Sequence, residues 1–200
     1  SLKNRIALAP MVRNWATQDG LVTERLLNHY ETMAAGGVGL VILEACYIHP
    51  LGKGFVNQMG IYHDRCIEGL KNLAGTVHKY GAKVGAQIFH AGRQTIPKFC
   101  GGQPVAPSPK PCGIMRYLDP EYIPRELSTE EVGFLADAFA EAARRNKEAG
   151  LDFLELHGAH GYIINQFLSP YTNQRSDRYG GNFSGRMSFV LEVVDKVRSR

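Results

Sequence analysis

The strongest constraint on the fold is an order that the sequence repeats four times: a short apolar run, then a segment with helical periodicity. The runs span residues 5–9, 38–45, 83–89 and 152–156. The second run is apolar on both faces as far as Glu44, which is typical of a parallel strand buried on both sides. Strands and helices that alternate in this way predict an α/β fold with right-handed crossovers.

Each helical segment has its own start or stop signal. The predicted helices run from Thr23 to Gly36, from about 64 to Gly81, from Ser128 to Gly150, and from near Ser184 to the end of the chain. Ser128 and Glu131 form a capping box, in which each residue satisfies an unpaired backbone N–H of the other. Glycine after the last apolar position is the usual helix stop.

Two architectures compete, an open doubly wound sheet and a (β/α)8 barrel. A doubly wound nucleotide-binding sheet would carry G-x-G-x-x-G after its first strand, where this chain has Pro10 and Met11. Polar or reactive side chains instead gather at the C-terminal end of every strand, which is where a barrel places its chemistry. They are Pro10, Met11, Glu44, Cys46, Gln87, His90, His157 and His160. This pattern favours the TIM barrel.

The number of repeats limits how much of a barrel is present. A closed barrel needs eight strand–helix units and about 250 residues, whereas these 200 residues supply four units. We therefore expect residues 1–200 to be a partial TIM barrel, with strands 1–4 and helices 1–4, cropped at both ends. The Pro- and Gly-rich connection at 96–124 has the length of a functional loop or lid.

Composition excludes several classes of protein. With 44% hydrophobic and 21% charged residues, the chain can form a core and is not a disordered protein. Its net charge of +4 is dispersed, which argues against nucleic acid, and its longest apolar run, at 36–43, is too short for a membrane span. The four cysteines lack Cys-x-x-Cys spacing. We expect reduced thiols and a cytoplasmic protein.

The densest group of reactive residues follows the fourth strand: His157, His160 and Tyr162. Two imidazoles at a strand end can donate two hydrogen bonds to one substrate oxygen and stabilise a developing enolate. A neighbouring phenol is a candidate general acid. The alternatives are a metal pair, for which no H-E-x-x-H pattern exists, and two structural histidines beside a packed tyrosine.

Three other side chains near strand ends are ambiguous. Gln87 interrupts an apolar strand, so its amide either satisfies a neighbouring backbone group or reads the polar edge of a flat heterocycle. His90 and Arg93 could contact substrate, but an ordinary salt bridge on the barrel rim is the expectation for each. Periodicity by itself decides none of these alternatives.

Three segments resemble the old yellow enzyme family of NADH:flavin oxidoreductases, including its 2,4-dienoyl-CoA reductase and 2-enoate reductase branch. They are LKNRIALAPM at 2–11, AQIFHAGR at 86–93 and HGAHGYIINQFLSPYTNQRSDRYGG at 157–181. The segments follow in order at the ends of strands one, three and four and span nearly the whole chain. The resemblance implies a (β/α)8 barrel that holds FMN non-covalently at its C-terminal mouth.

The resemblance also implies a role for each site residue. The FMN-binding positions would be Ala9, Pro10, Met11, Val12, Ala45 and Gln87. His157 and His160 would hold the substrate oxygen, and Tyr162 would protonate the α carbon. NADH or NADPH would reduce the flavin, which would then pass hydride to the β carbon of an enone, enoate or dienoyl thioester. No metal is implied, and amine dehydrogenation is the enzymatic alternative.

Two departures from the family pattern bear on function. Many relatives have Cys or Thr where this chain has Val12, whose side chain donates no hydrogen bond to adjust the flavin potential. The phosphate site expected on the last two strands is also missing, and an iron–sulfur segment would lie downstream. We expect the isolated 200-residue chain to be inactive. A non-catalytic half-barrel that associates into a homo-oligomer through its open strand edges is the non-enzymatic alternative.

Overall fold

A computed structural model describes all 200 residues of the chain. The strands are β1 (Ala7–Leu8), β2 (Leu40–Tyr47), β3 (Lys83–Phe89), β4 (Val105–Ala106), β5 (Arg125–Glu126) and β6 (Phe153–Leu156). The helices are α1 (Glu24–Ala35), α2 (Ile67–His78), α3 (Pro97–Cys100), α4 (Gly113–Leu118), α5 (Thr129–Glu148), α6 (Ile163–Leu168) and α7 (Phe183–Arg198). None of these helices is both long and apolar enough to cross a bilayer.

The chain divides into two compact units. The first comprises residues 1–47, 56–88 and 142–156, and the second comprises residues 48–55, 89–141 and 157–200. The main sheet has the strand order β1-β2-β3-β6, with parallel pairing of β1 to β2 and of β3 to β6. Helices separate these strands along the chain, which confirms the predicted α/β pattern.

Local sequence explains where the helices begin and end. The Thr23 hydroxyl accepts a hydrogen bond from Leu26 N at the start of α1. The predicted capping box of α5 is present: Glu131 N donates to Ser128 Oγ over 3.1 Å, and Ser128 N donates to Glu131 Oε2 over 2.7 Å. Gly150 follows α5 with a φ of +75°, a conformation that suits glycine.

Two strands differ from the prediction at both ends, and β6 begins one residue later than predicted, at Phe153 rather than Asp152. The first strand, expected over 5–9, is reduced to β1, because only Ala7 and Leu8 pair with β2. The second, expected over 38–45, begins two residues later because Gly37 adopts a φ of +101° and keeps that segment in the turn. It also continues through Tyr47, which bridges to Gly60. β3 has the predicted bounds, since it is buried at every position after Lys83.

The connection at 96–124 contains more structure than the sequence suggests. The short helices α3 and α4 lie within it, and β4 pairs in parallel with β5 just beyond its end. Helix α4 has no buried residue, and Tyr117 is 88% exposed. The absence of helical periodicity is explained by the length of these elements, because four to six residues are too few to show it.

Candidate functional site

His157, His160 and Tyr162 belong to the second unit and lie on the tight turn that follows β6 and leads into α6. His160 has a φ of +57° and Gly161 has a φ of +72°. The left-handed conformation costs a residue with a side chain about 1–2 kcal/mol. Gln94 Nε2 donates to the His160 carbonyl oxygen over 2.6 Å and helps to hold this conformation. Strain of this kind is concentrated at functional sites.

The two imidazoles are close enough to bond to each other. Ala159 N donates to His157 Nδ1 over 3.3 Å, so the neutral ring carries its proton on Nε2. That Nε2 lies 3.4 Å from His160 Nδ1. Burial, reinforced by the neighbouring His160, lowers the pKa of His157 to about 4. His157 is therefore neutral at pH 7 and can donate from Nε2.

Tyr162 packs between two rings and keeps its hydroxyl free. Its ring lies edge-on to Phe89 at 4.8 Å and to His157 at 4.9 Å between centroids. Burial raises the pKa of Tyr162 above its ordinary value. The phenol therefore stays protonated at neutral pH, and its oxygen makes no hydrogen bond within the chain. A protonated, unpaired phenol is what a general acid requires.

Of the two alternatives for the buried amide of Gln87, the bond to a backbone group is absent, and contact with a flat heterocycle stays a prediction. Gln87 Nε2 donates over 2.5 Å to Glu155 Oε1, on the paired strand β6, rather than to a backbone group. The side chain is 8% exposed. A hydrogen bond to a carboxylate is about twice as strong as one between neutral groups. Glu155 therefore fixes the rotamer of the amide and leaves Gln87 Oε1 without a partner.

The remaining predicted flavin positions lie in the first unit with Gln87. Ala45 is buried at 5% exposure, and its carbonyl accepts a hydrogen bond from Gln58 Nε2 over 2.7 Å. The segment after β1 contains Ala9, Pro10, Met11 and Val12, and it leaves Met11 61% exposed. Contact of these residues with a flavin stays a prediction.

His90 and Arg93 form no salt bridge, contrary to the sequence-based expectation. His90 is 1% exposed, and burial lowers its pKa to about 3, so it is neutral and forms no ion pair. Arg93 Nη1 donates to the carbonyl oxygens of Lys110 and Pro111 over 3.3 and 3.1 Å. The physical reason is the connection at 96–124, which covers this strand end and supplies carbonyl oxygens instead of carboxylates.

Gln166 is a positioning residue that the sequence did not reveal. Its side chain is buried and makes three hydrogen bonds: Nε2 donates to the carbonyl oxygens of Ala91 and Gly161 over 3.1 and 2.6 Å, and Oε1 accepts from Arg93 N over 3.1 Å. One amide thus ties the loop after β3 to the loop that carries His160. A glutamine beside the apolar residues Ile163, Ile164 and Phe167 of α6 was the available signal.

Comparison with known proteins bears on this arrangement. The family model described as NADH:flavin oxidoreductase / NADH oxidase matches residues 1–200. The chain is 47% identical over 199 residues to an NADH oxidase of Thermoanaerobacter brockii, covering 98% of this chain and 30% of that protein. It is 41% identical over 199 residues to an NADPH dehydrogenase of Geobacillus sp. (strain WCH70), covering 99% and 56%.

Solved structures agree with the sequence comparison. A 2-naphthoyl-CoA reductase in complex with 2-naphthoyl-CoA superimposes with a TM-score of 0.93 at 33% identity, covering 99% of this chain and 31% of that one. The chain thus spans between about a third and about half of the length of these relatives. The structural neighbours are TIM barrels, which confirms the predicted fold class. The chain belongs to the NADH:flavin oxidoreductase family, which includes old yellow enzyme.

Proposed function

We propose that this chain is the part of an FMN-dependent oxidoreductase that reduces the activated C=C bond of an enone, enoate or dienoyl thioester with NADH or NADPH. The observation that carries the proposal is the turn after β6, where two imidazoles and an unpaired phenol lie together. Such a group can hold an oxygen and deliver a proton. The NADH and NADPH in the names of the relatives, and the thioester bound by the 2-naphthoyl-CoA reductase, support this reductant and substrate class.

The imidazoles polarise the substrate oxygen in this proposal. The 3.4 Å separation of His157 Nε2 and His160 Nδ1 is a long hydrogen bond that a better acceptor can displace. A carbonyl oxygen would then accept from His157 Nε2, while His160 in its neutral form would donate from its other nitrogen. Donors fixed before the reaction stabilise charge that develops on that oxygen.

Tyr162 supplies the proton that completes the reduction of the double bond. Its raised pKa keeps the proton on the phenol until the neighbouring α carbon becomes basic. Packing against Phe89 and His157 limits the ring to one orientation. Tyr162 therefore acts after the oxygen has been bound, and its loss should affect turnover rather than reduction of the flavin.

The residues of the first unit fit an isoalloxazine. Gln87, held by Glu155, offers an amide oxygen to the polar edge of the ring, and Ala9, Pro10, Met11, Val12 and Ala45 provide backbone and apolar contacts. Bound FMN would carry hydride from the nicotinamide to the alkene. Val12 donates no hydrogen bond, so the protein exerts little control over the flavin potential at that position.

The test is anaerobic reoxidation of the reduced flavin in the full-length protein. We expect NADH or NADPH to bleach the flavin absorbance near 450 nm, and 2-cyclohexenone or cinnamate to restore it. Trimethylamine, which can only reduce the flavin, serves as the probe for amine dehydrogenation. Reoxidation by no enone, enoate or enoyl thioester would disprove the proposed reaction, and absence of flavin from the purified protein would disprove the cofactor.

A further inference from the structure

A cavity lies in the second unit, and no residue of the turn after β6 lines it. Its volume is about 230 Å³. The lining is mainly apolar, and it includes none of His157, His160 and Tyr162. The lining residues are His49, Leu51, His90, Val105, Arg125, Leu127, Glu131, Phe134, Leu135 and Ala138. An apolar cavity of about 150 Å³ is already large enough for benzene in another protein, so this one can take a substituted ring.

His90 gives the wall of this cavity one unsatisfied hydrogen-bond donor. Gly92 N donates to His90 Nδ1 over 3.0 Å, so the neutral ring carries its proton on Nε2. That Nε2 is buried and has no hydrogen-bond partner. Buried donors without a partner cost about 1–3 kcal/mol and are rare in native proteins. Because this atom has almost no accessible surface, the His90 ring has to turn toward the cavity to meet an acceptor on a bound molecule, and the hydrogen bond formed there would remove this cost.

His49 adds a second neutral imidazole to the same wall. Its Nδ1 accepts from Leu51 N over 3.2 Å, which leaves its proton on Nε2 as in His90. The two rings are nearly parallel, with centroids 6.2 Å apart. Burial lowers the pKa of both groups, so neither ring is charged at pH 7. The wall thus presents hydrogen-bond donors and no positive charge.

The charged residues of the lining neutralise each other. Arg125 Nη1 and Nη2 donate to the two carboxylate oxygens of Glu131 over 2.8 and 2.7 Å, in a bidentate pair. Glu131 is further committed to the capping box of α5 through Ser128 N. No free charge therefore remains to attract an anion or a cation, and the cavity selects a neutral molecule.

We propose that this cavity binds a small neutral ring compound whose carbonyl or hydroxyl oxygen accepts a hydrogen bond from His90 Nε2. The apolar side chains contact the ring, and His90 fixes its orientation. A carboxylate is excluded because its desolvation is not compensated by any unpaired cation. The proposal is independent of the reaction proposed above, because it uses none of the same residues.

The binding test uses 4-fluoroacetophenone as a probe, followed by ¹⁹F NMR titration of the full-length protein. The substrate-binding turn could also hold a ketone, so the titration is made in a His157→Ala, His160→Ala background. We expect saturable binding about fivefold tighter than that of 1-ethyl-4-fluorobenzene, the change expected for one neutral hydrogen bond. 4-Fluorobenzoate should show no saturable binding. Equal affinity for the ketone and the hydrocarbon would overturn the role of His90.

Two variants locate the site. Ala138→Leu places extra volume in the cavity wall and should abolish binding of the ketone. Glu130→Leu is the control: it adds the same side chain at an exposed position in the first turn of α5, outside the lining, and should leave ketone binding unchanged. His90→Phe should reduce ketone affinity to that of the hydrocarbon. If His90→Phe fails to fold, the leucine pair still decides the matter, since ketone binding that survives Ala138→Leu contradicts the proposed location.

Discussion

The loops after β3 and β6 begin alike and end in different environments. Each starts with a histidine at the end of a strand, and each contains a glycine in the left-handed conformation, Gly92 or Gly161. Yet His90 is buried at 1% exposure and its Nε2 has no hydrogen-bond partner, whereas the Nε2 of His157 bonds to the exposed His160. The same residue type at the same kind of position can thus become part of a cavity wall or part of a reactive cluster.

The difference arises from what covers each loop. The Ile163 N–H donates to the His90 carbonyl oxygen over 3.0 Å, and a side chain at Gly52 would collide with the His90 ring. His157 is also buried, at 8% exposure, but its Nε2 lies beside the exposed His160 instead of being left without a partner. A strand-end histidine therefore indicates chemistry only where a second, accessible reactive side chain lies next to it.

The largest expected effect is on catalytic activity, and it concerns the loop after β6. Tyr162→Phe should lower enone turnover by roughly 10²–10⁴-fold, the range typical for loss of a general acid. Flavin reduction by NADH or NADPH should be unchanged, because that half-reaction uses no proton from Tyr162. Stopped-flow measurement of the two half-reactions tests this directly. Equal losses in both would show that the variant damages the fold rather than the proton transfer.

The two left-handed glycines should differ in what they contribute to stability. We expect Gly92→Ala to lower the free energy of unfolding by about 3 kcal/mol, since it adds backbone strain and displaces the hydrogen bonds of Gln166. Gly161→Ala should cost less, because the new methyl group meets only the end of Gln94.

Gly81→Ala is the matched control for these two variants. Its φ is +69°, and a methyl group there would meet nothing within 4 Å, so it reports strain alone, about 1 kcal/mol. Urea denaturation of the three variants gives the comparison. If Gly92→Ala proves no more damaging than Gly81→Ala, then Gln166 does not lock the loop after β3.

Protonation of the buried histidines should make stability depend on pH. The pKa of His90, about 3, lies below the value near 6.5 of an unfolded histidine, so the unfolded chain binds more protons between these limits. Its contribution to stability is complete above about pH 6.5 and is lost as the pH falls toward 3. His157, with a pKa of about 4, contributes in the same direction.

His90→Phe isolates the share of this pH dependence that comes from His90, on the loop after β3. Between pH 4.5 and 6, the slope of unfolding free energy against pH should fall by about one proton, or roughly 1.4 kcal/mol per pH unit. Above pH 7 the slopes of the variant and the parent protein should coincide. Parallel stability curves for the variant and the parent protein at all pH values would mean that His90 has the same pKa in the folded and unfolded chain and is not buried.

The smallest expected effect concerns the strands that lead to the two loops. Glu155→Gln replaces the charged acceptor of Gln87 with a neutral one, which about halves the strength of the bond. We expect a loss of FMN affinity of about threefold to tenfold with the fold preserved, measured by flavin fluorescence on dilution. Gln87→Leu, which removes the amide, should cause a larger loss; an unchanged affinity in both variants would contradict the flavin role of Gln87.

The sequence by itself determined the four strands of the main sheet, the four long helices and their order. Apolar periodicity and capping signals such as Ser128 with Glu131 act over a few residues, so they can be recognised without knowing the rest of the structure. The same holds for His157, His160 and Tyr162, which a single turn brings together. Their clustering follows from spacing along the chain.

Only the tertiary structure decided the contacts between residues that are distant in sequence. The pairing of Gln87 with Glu155 depends on the register of β3 with β6, and the bonds of Gln166 to Ala91 and Arg93 depend on how α6 packs in the second unit. The burial of His90, and with it the cavity, likewise results from segments far along the chain. Burial and partner geometry are sums over such distant neighbours, and no local pattern encodes them.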